Sequence, residues 1–393
     1  LGVCVMEYLL SIIIPTKNRS NYLKGCLDSL IKLGDKDIEI VVQDNSDDNS
    51  QIVDYIKNID HKNLKYYHCK DQLTQTENSE LAVSNATGKY ICYIGDDDSI
   101  SNMLIEAVKL MNRYEIEALN CNMATFYWPD IVFNGTKLPF LSFDKTKLKI
   151  EKINSKEILY RYLRNGFQSI RFLPRTYHAV IARSILDKVK LKSGKIFPGP
   201  SPDMANAVAC SLVVHNHIYI NAPLIISGAS YSSACGMGMR GAHKGSLKGV
   251  AQIANDVEEK WNKNIPKLWL GNTIWPESAV KALEAMGAGD FIEKMNWYAV
   301  YARMLLKYGE YRSYTMQFIH GIGYLRVFFD IISDVSNWLI DRVIYKIRFL
   351  RGSWYVNYQE NLSLQEACEI TNKYLEETGF YAEIMEIMAR KVR

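Results

Sequence analysis

Short apolar runs that alternate with helical segments mark the first part of this 393-residue chain. The runs at residues 9–14, 38–42 and 90–94 are apolar except for Ser11 and Glu39, as is typical of strands buried on both faces of a parallel sheet. Between them, residues 21–33 and 52–56 place apolar side chains on one face of a helix. Strand alternating with helix predicts an α/β fold, with a mostly parallel central sheet flanked by helices.

Polar side chains cluster directly after three of the predicted strands. The clusters are residues 16–19, residues 44–48 and three consecutive carboxylates, Asp96, Asp97 and Asp98. Parallel sheets bind ligands beyond the carboxyl ends of their strands, so we expect the three clusters to share one site. Carboxylate oxygens suit a divalent cation that holds a phosphate. The alternative for the carboxylates is a solvent-exposed acidic turn.

Three segments at these strand ends resemble glycosyltransferase family 2, the inverting nucleotide-sugar transferases with the GT-A fold. They are SIIIPTKNR at 11–19, EIVVQDNSDDNS at 39–50 and ATGKYICYIGDDD at 86–98, and they follow the family's order. The resemblance covers only the N-terminal part of the chain. Residues 70–86 depart from the family's pattern, because they lack the glycine-rich sequence that the family often has there.

The resemblance implies roles for four residues that follow the first two strands. The loop after the first strand would contact the nucleotide through Pro15, Thr16 and Arg19, and Asp44 after the second strand would recognise the base. A carboxylate can accept hydrogen bonds from the imide N–H or the ribose hydroxyls of a nucleotide. The alternatives are a surface cation at Arg19 and a helix cap at Asp44.

The resemblance also assigns the acidic stretch to the donor sugar and to a metal ion. Asp98 would be the metal ligand and Asp96 a donor-sugar contact, with Asp97 beside them in the donor site. A Mn²⁺ or Mg²⁺ ion bridging the diphosphate would neutralise the charge that develops as the nucleoside diphosphate leaves. The expected cofactor is therefore a divalent cation.

A further carboxylate stands at the start of an apolar helix. In residues 197–214, prolines set an extended loop, and Asp203 then falls in the first helical turn, where the positive end of the helix favours an ionised carboxylate. An inverting transferase needs one carboxylate to deprotonate the acceptor hydroxyl. The resemblance implies an acid at the start of a helix in this region, so Asp203 is the predicted catalytic base. A helix N-cap without chemistry is the alternative.

Residues 227–246 are the part of the chain densest in glycine and serine. Backbone N–H groups can approach a phosphate there, and Arg240, His243 and Lys244 add cations or a metal ligand. The resemblance implies a histidine after the core sheet that completes the metal shell, which makes His243 a candidate ligand. The alternative is a flexible linker, and a loop that orders over the bound donor satisfies both interpretations. His178, His215 and His217 are expected to be structural.

The chain is predicted to fall into a GT-A catalytic domain at 1–246 and a mainly helical C-terminal domain at 247–393. Within the first we expect a nucleotide-sugar half at about 1–128 and an acceptor half at about 129–246. Residues 303–351 interleave aromatic, aliphatic and basic side chains, a mixture that can lie on an anionic membrane surface. The alternative is a helical subdomain that packs on the catalytic domain or on a second copy. The closing helices are expected at the surface or in a homodimer contact.

The composition of the chain limits which binding partners and which cellular compartment are expected. A formal net charge of +4 is too small to indicate nucleic acid. The eight cysteines include no C-x-x-C pair, which disfavours zinc and thioredoxin-type sites and indicates a reduced, cytosolic compartment. No signal peptide is evident, and no apolar run reaches the roughly 18 residues of a membrane span, so no transmembrane helix is predicted.

Together with the family resemblance, these patterns predict a metal-dependent glycosyltransferase of bacterial surface-polysaccharide type, in the cytoplasm or at the inner face of the membrane. That it inverts the anomeric configuration is implied by the resemblance alone. It would transfer a sugar from a nucleotide diphosphate, uridine-linked by default, to a hydroxyl of a glycan or a lipid-linked oligosaccharide. One alternative is a non-catalytic nucleotide-sugar or glycan-binding module on the same fold. A nucleotidyltransferase would normally show a glycine-rich phosphate loop after the first strand, and PTKNR lacks those glycines.

Overall fold

The fold is built around one mixed sheet of eleven strands, and the computed structural model describes residues 8–131, 140–145, 147–241, 243–250 and 252–391. The strands are β1 (Leu10–Thr16), β2 (Ile38–Asp44), β3 (Leu64–His68), β4 (Tyr90–Tyr93), β5 (Ser99–Ile100), β6 (Ala118–Tyr127), β7 (Leu141–Asp144), β8 (Ile150–Lys152), β9 (Ala179–Ala182), β10 (His217–Ala229) and β11 (Trp354–Asn357). The main path across the sheet is β11-β7-β6-β9-β4-β1-β2-β3, and β10 pairs with β5, β6 and β8.

Helices flank the sheet in two groups. The helices are α1 (Ser20–Ile31), α2 (Ser50–Lys57), α3 (Gln75–Asn85), α4 (Asn102–Arg113), α5 (Ser155–Arg164), α6 (Arg183–Ser193), α7 (Pro202–Ser211), α8 (Ala234–Met239), α9 (Gly271–Ala285), α10 (Gly289–Ile292), α11 (Trp297–Lys307), α12 (Arg312–Met316), α13 (Gly323–Leu350), α14 (Leu364–Glu377) and α15 (Phe380–Lys391), with a 3-10 turn at Gly309–Tyr311. In the first group, α1 contacts α2 and α14, and α4 contacts α14 and α15. In the second group, α7 contacts α3, α5, α6 and α9. The predicted α/β class is confirmed.

Four neighbouring strands, in the order β4-β1-β2-β3, form the parallel part of the sheet. They confirm the strands predicted from the three apolar runs. Ile12, Ile13 and Ile14 of β1 are fully buried, as expected for a strand covered on both faces. Thr16 lies opposite Asp44 in the register of β1 and β2, so the polar clusters after these strands meet at one edge.

Antiparallel strands complete the other half of the sheet around β4. β9 runs antiparallel between β4 and β6, and β10 runs parallel to β6 and antiparallel to β5. The carboxyl end of β4 therefore meets the start of β9, and the segment that follows β4 pairs with β10. This arrangement places three parts of the chain around the acidic stretch.

A buried carboxylate holds the opposite end of the parallel strands together. Glu39 Oε1 accepts hydrogen bonds from the Ser11 hydroxyl at 2.5 Å and from the Gly88 N–H at 3.1 Å, and Oε2 pairs with Lys65 at 2.8 Å. Burial alone would raise the pKa of Glu39, but Lys65 and the hydroxyl donor lower it below the ordinary value. The ionised carboxylate is thus a structural tie between β1, β2, β3 and the turn before β4.

The C-terminal region is mainly helical, as predicted, with one strand that the sequence did not indicate. β11 pairs antiparallel with β7 and forms an edge of the sheet. Of the closing helices, α14 packs Leu364, Ala367 and Cys368 into the main core and leaves Glu369 and Lys373 exposed, which agrees with the expected surface position. The expected homodimer contact remains a prediction. The predicted boundary at residues 246 and 247 remains a prediction.

None of the helices in the described ranges has both the length and the hydropathy needed to span a membrane.

Candidate functional site

The acidic stretch forms a buried turn at the carboxyl end of β4. Asp96, Asp97 and Asp98 are only 4%, 5% and 0% exposed, so they are not the solvent-exposed acidic turn that the sequence left open. Burying an ionised carboxylate is costly unless a charge or hydrogen-bond donors compensate it. The partners of these three side chains therefore define the site.

Arg19 supplies the positive charge next to the first two acids. Its Nε donates to Asp96 Oδ1 at 2.7 Å, and its Nη2 pairs with Asp97 Oδ2 at 2.8 Å. The Thr16 hydroxyl donates to the other oxygen of Asp96 at 2.5 Å. Burial lowers the pKa of Arg19, but the two carboxylates raise it above its ordinary value. Arg19 is only 15% exposed, so the surface-cation alternative does not describe it.

Asp98 is held by donors from three different segments. His178 Nε2 lies 2.6 Å from Oδ2, the Gly95 N–H donates to the same oxygen at 2.6 Å, and the Gly228 N–H donates to Oδ1 at 2.7 Å. Burial would raise the pKa of Asp98, but His178 and the backbone donors lower it below the ordinary value. Gly228 has no room for a side chain, because a Cβ there would lie 1.8 Å from the backbone oxygen of Asp97.

The sequence did not identify His178 as part of the site. It precedes β9, adopts a positive φ of 53°, and its N–H donates to the Tyr93 carbonyl at 2.9 Å. Its ring stacks on Tyr177 with centroids 3.9 Å apart. The only sequence signal is its place before a predicted strand, which becomes informative once β9 is known to pair with β4.

The serines after β10 close the site above Asp97. The Ser230 hydroxyl donates to Asp97 Oδ2, and Arg19 donates to Ser230 and Ser232 at 2.9 and 2.8 Å. The Trp128 indole N–H donates to the backbone oxygen of Asp97 at 3.0 Å. Burial raises the pKa of Asp97 to about 7, and the two neighbouring carboxylates contribute to the rise. The start of the glycine- and serine-rich segment thus belongs to the site.

The carboxylates as arranged do not fit a bound divalent cation. In the part of the chain that the structure describes, no three His, Cys, Asp or Glu side chains converge as a ligand set. Both oxygens of Asp96 and both oxygens of Asp98 already accept hydrogen bonds from protein donors. A cation would compete with Arg19 and His178 for the same oxygens. The metal role of Asp98 therefore remains a prediction.

His243 lies apart from the contacts that hold the acidic stretch. Its ring packs edge-to-face on Trp269 with centroids 5.0 Å apart, and burial lowers its pKa. The adjacent Lys244 pairs with Glu310 at 2.7 Å. No described hydrogen bond or ion pair joins His243 to Asp98, so its assignment as a metal ligand also remains a prediction.

Asp44 occupies the predicted nucleotide side of the same sheet edge. It is 1% exposed, and its oxygens accept hydrogen bonds from the Ser46 N–H and the Tyr66 hydroxyl, both at 2.7 Å. The helix-cap alternative does not apply, because α2 begins after Asn49. Asp44 is thus a fixed carboxylate at the end of β2.

Pro15 and Asn78 border the same edge. Pro15 lies opposite Gln43 in the register of β1 and β2. The Asn78 side-chain amide donates to the Thr16 carbonyl at 3.2 Å, while its Oδ1 is buried without a hydrogen-bond partner. Asn78 thus presents an unused acceptor close to the first two strand ends.

Asp203 reaches the same end of the sheet from α7. The N-cap of α7 is Ser201, so the N-cap alternative does not describe Asp203, which accepts the Ser201 hydroxyl at 2.5 Å. Burial raises the pKa of Tyr93, the last residue of β4, and the negative charge of Asp203 adds to the rise. The same charge acts on Arg175 and Tyr177. Asp203 therefore lies in the electrostatic neighbourhood of the acidic stretch.

The structure brings most of the predicted site residues to one edge of the sheet. Thr16, Arg19, Asp96 and Asp97 are in direct contact, and Asp98 is held beside them. Pro15 and Asp44 adjoin them at the ends of β1 and β2, and Asp203 lies in the first turn of α7.

The sequence and the fold of the chain were compared with those of known proteins. Residues 11–185 match the sequence model described as Glycosyl transferase family 2. Glycosyltransferase GlyA of Streptococcus pneumoniae is 32% identical over 120 residues, which are 30% of this chain and 17% of that protein. The Campylobacter jejuni GalNAc(5)-diNAcBac-PP-undecaprenol beta-1,3-glucosyltransferase is 30% identical over 94 residues, which are 23% of this chain and 30% of that protein. The match therefore spans less than a third of either relative's length.

Among solved structures, the chain is similar to S. aureus TarS 1–349 in complex with UDP-GlcNAc. The sequences are 15% identical, the alignment covers 90% of this chain and 97% of that chain, and the TM-score is 0.44.

The family match includes β1 to β4, the acidic stretch, Arg19 and His178, and it ends before Asp203. The predicted GT-A fold, with its mostly parallel sheet, flanking helices and helical C-terminal region, is confirmed. Residues 11–185 form a glycosyltransferase family 2 domain.

Proposed function

We propose that the protein transfers a sugar from a nucleotide diphosphate to an acceptor hydroxyl. The observation that carries this proposal is the buried acidic turn after β4, held by Arg19 from the loop after β1, with Asp203 on the adjoining helix. Three strand ends of a family 2 domain thus present polar groups to one edge. Fixed carboxylates and donors at such an edge suit a polar ligand with a diphosphate and several hydroxyls.

On the donor side, the proposed nucleotide lies over the ends of β1 and β2. Asp44 would accept hydrogen bonds from the base or ribose, and Pro15 and Thr16 would border the nucleotide. Asp96 and Asp97 would contact the donor sugar or its phosphates through groups that Arg19 already orients. Uridine is the proposed base.

On the acceptor side, Asp203 would act as the general base. Its carboxylate would take the proton of the acceptor hydroxyl while that oxygen attacks the anomeric carbon. The bond between the anomeric carbon and the phosphate oxygen would break, and the nucleoside diphosphate would leave with the electron pair. Attack opposite the leaving group inverts the anomeric configuration.

The acceptor and the pathway are proposed at the level of chemical class. A glycan or lipid-linked oligosaccharide in bacterial surface-polysaccharide synthesis, handled on the cytoplasmic side of the membrane, is consistent with the relative whose name specifies an undecaprenol-linked substrate. Dependence on Mn²⁺ or Mg²⁺ remains an expectation from the family resemblance; since both oxygens of Asp98 already accept hydrogen bonds from protein donors, we derive no step through an ion.

A thermal-unfolding panel of nucleotide sugars, each with and without Mn²⁺, tests the donor proposal. A donor present at 100 times its Kd should stabilise the fold by about 2.7 kcal/mol, because it binds only the native state. The arm without Mn²⁺ shows whether the ion is required. A panel in which no nucleotide sugar raises Tm in either arm would contradict the donor proposal.

Asp203→Asn tests the catalytic role. The variant should lose transfer by at least about 100-fold and retain donor binding, since the amide cannot accept the proton. Asp290→Asn is a matched control, because Asp290 also occupies the second position of a helix but is exposed. Normal transfer by Asp203→Asn would show that the base is another group. Donor binding without transfer by the wild type would favour the non-catalytic module.

A further inference from the structure

The long helix α13 carries an unusual amount of exposed apolar surface. Of its 28 residues only Gly323 and Val327 are buried. Phe329 is 60% exposed and Leu350 is 75% exposed. Contiguous apolar surface of this kind on a folded chain marks a contact site for a partner or a lipid phase.

Seven of the exposed apolar residues of α13 form a stripe on the side opposite Val327, while others, such as Trp338, Ile344 and Tyr345, are exposed elsewhere around the helix. At about 100° per residue, positions spaced by three and four fall on one side of a helix. We call this set the outer stripe; its members are Leu325, Phe329, Ile332, Leu339, Val343, Ile347 and Leu350. The buried Val327 lies on the opposite side. The stripe therefore runs the length of the helix, roughly 40 Å at about 1.5 Å per residue.

The acidic residues of α13 lie on the inner side, away from the stripe. Asp330, Asp334 and Asp341 share the side of Val327 by the same helical spacing. Asp334 pairs with Arg303 of α11 at 2.8 Å, and Asp330 accepts the Asn296 amide at 3.3 Å. No acidic residue is left on the outer stripe.

Basic residues flank the stripe on both sides. Arg342 and Lys346 lie along one flank, and Arg326 and Arg351 lie along the other, by the same spacing. All four are exposed, and none takes part in an ion pair found among the described residues. Arg326 and Arg342 instead lie over the rings of Tyr298 and Trp338. The face that α13 presents outward is thus apolar in its centre and positive along both edges.

We propose that α13 lies along the surface of an anionic lipid bilayer, with the outer stripe at the boundary between headgroups and acyl chains. The flanking cations then reach the lipid phosphates, while the three acids of α13 lie on the side away from the bilayer. A second copy packed on the same stripe would place cations against cations, since the acids are on the inner side. The charge pattern therefore favours a lipid surface.

Both ends of α13 are fixed to the rest of the molecule. At its start, Gly323 packs against the Tyr298 ring, where a Cβ would lie 2.7 Å from the ring carbon Cε1. Near its end, Arg348 forms an ion pair with Asp144 of β7 and lies over the Trp354 ring. The helix is therefore presented as a fixed edge, and its docking does not depend on the transfer reaction.

Co-sedimentation of the full chain with lipid vesicles tests the proposal. Vesicles of phosphatidylcholine with phosphatidylglycerol should bind the wild type, and vesicles of phosphatidylcholine alone should bind it far more weakly. The triple variant Phe329→Ser, Leu339→Ser, Val343→Ser should bind the anionic vesicles at least about tenfold more weakly, through loss of apolar insertion. Leu191→Ser is the control, because Leu191 is 88% exposed on α6 and should leave binding unchanged.

The double variant Arg342→Gln, Lys346→Gln separates the two contributions. Each cation near an anionic surface contributes about 1 kcal/mol, so removing two should weaken binding to anionic vesicles about 30-fold and reduce its salt dependence. Equal vesicle binding by the wild type and the triple variant would overturn the proposal. A wild-type dimer that the triple variant dissociates, with no vesicle binding, would assign the stripe to a second copy. All variants should keep nucleotide-sugar stabilisation, so failure here leaves the proposed transfer function untouched.

Discussion

Replacing Asp97 with asparagine should make the protein more stable at alkaline pH. Folded Asp97 keeps its proton up to about pH 7, whereas an ordinary aspartate releases it near 3.8. Between these values the folded state binds more protons than the unfolded chain, so the free energy of unfolding falls as the pH rises. The carboxylate is destabilising once ionised, because burial and two neighbouring carboxylates disfavour its charge.

The magnitude follows from the displacement of the pKa. A rise from 3.8 to about 7 corresponds to about 4 kcal/mol at pH 8. The amide in Asp97→Asn resembles the protonated acid and can still accept the Ser230 hydroxyl. Asp96 and Asp97 share Arg19, so removing the charge of Asp97 leaves Arg19 paired with Asp96 alone. Part of the gain in stability should come from a stronger Arg19–Asp96 pair. We expect the variant to be more stable than the wild type by about 2–4 kcal/mol at pH 8 and equal at pH 4.

Urea unfolding at a series of pH values between 4 and 8 measures this difference. The wild-type free energy of unfolding should fall across the range, and the variant should follow a flatter curve. Asp290→Asn, at an exposed site, should track the wild type. Parallel curves for Asp97→Asn and the wild type, or a variant less stable at pH 8, would refute the buried-charge argument.

Three further substitutions test the supports of the site and the sheet. Gly228→Ala should destabilise the fold by about 2 kcal/mol or more in thermal unfolding, because the added Cβ meets a backbone carbonyl at 1.8 Å. His178→Ala should cost about 3 kcal/mol by leaving the buried Asp98 carboxylate without its nearest partner, measured by urea unfolding at pH 7. Glu39→Gln should lower stability at pH 7 and flatten the acid limb of the stability curve. Since the pKa of Glu39 is lowered, its stabilisation is present above the ordinary 4.5 and is lost as the pH falls through the folded value.

Matched controls exist for the first two substitutions. Gly238→Ala should be nearly neutral, since nothing lies within 4 Å of its would-be Cβ. His215→Ala, at an exposed histidine, should also be nearly neutral. If a test variant and its control are equally stable, then the close contact at Gly228 or the His178–Asp98 pair does not contribute to stability as expected. If the free energy of unfolding of Glu39→Gln ran parallel to that of the wild type between pH 3 and 7, the Glu39 carboxylate would not stabilise the fold in its ionised form.

The strands around the site could be predicted because their signals are local. β1, β2 and β4 are mainly apolar runs followed directly by polar residues, and this pattern can be recognised without knowing which strands pair. The order β4-β1-β2 then places Arg19 next to Asp96 and Asp97. The sequence placed Arg19 in the donor loop but could not pair it with the acids, because that contact depends on strand order.

Two other features depend on distant pairing and were not predicted. His178 and Asp98 are 80 residues apart and meet only because β9 runs antiparallel to β4. β11 is a short, half-buried strand within a helical region, and its partner β7 lies far earlier in the chain. Such pairings are set by the assembled core and leave little trace in local periodicity.

The pairing of β11 with β7 has a consequence for synthesis. Arg348 and Asp144, which tie the two regions together, are 204 residues apart. While the ribosome makes the intervening segment, β7 lacks its edge partner and the core lacks the apolar face of α14. Unpaired edges and uncovered cores are the surfaces that chaperones bind and that aggregate. The central sheet can therefore complete its folding only late in translation, after β11 and α14 have emerged.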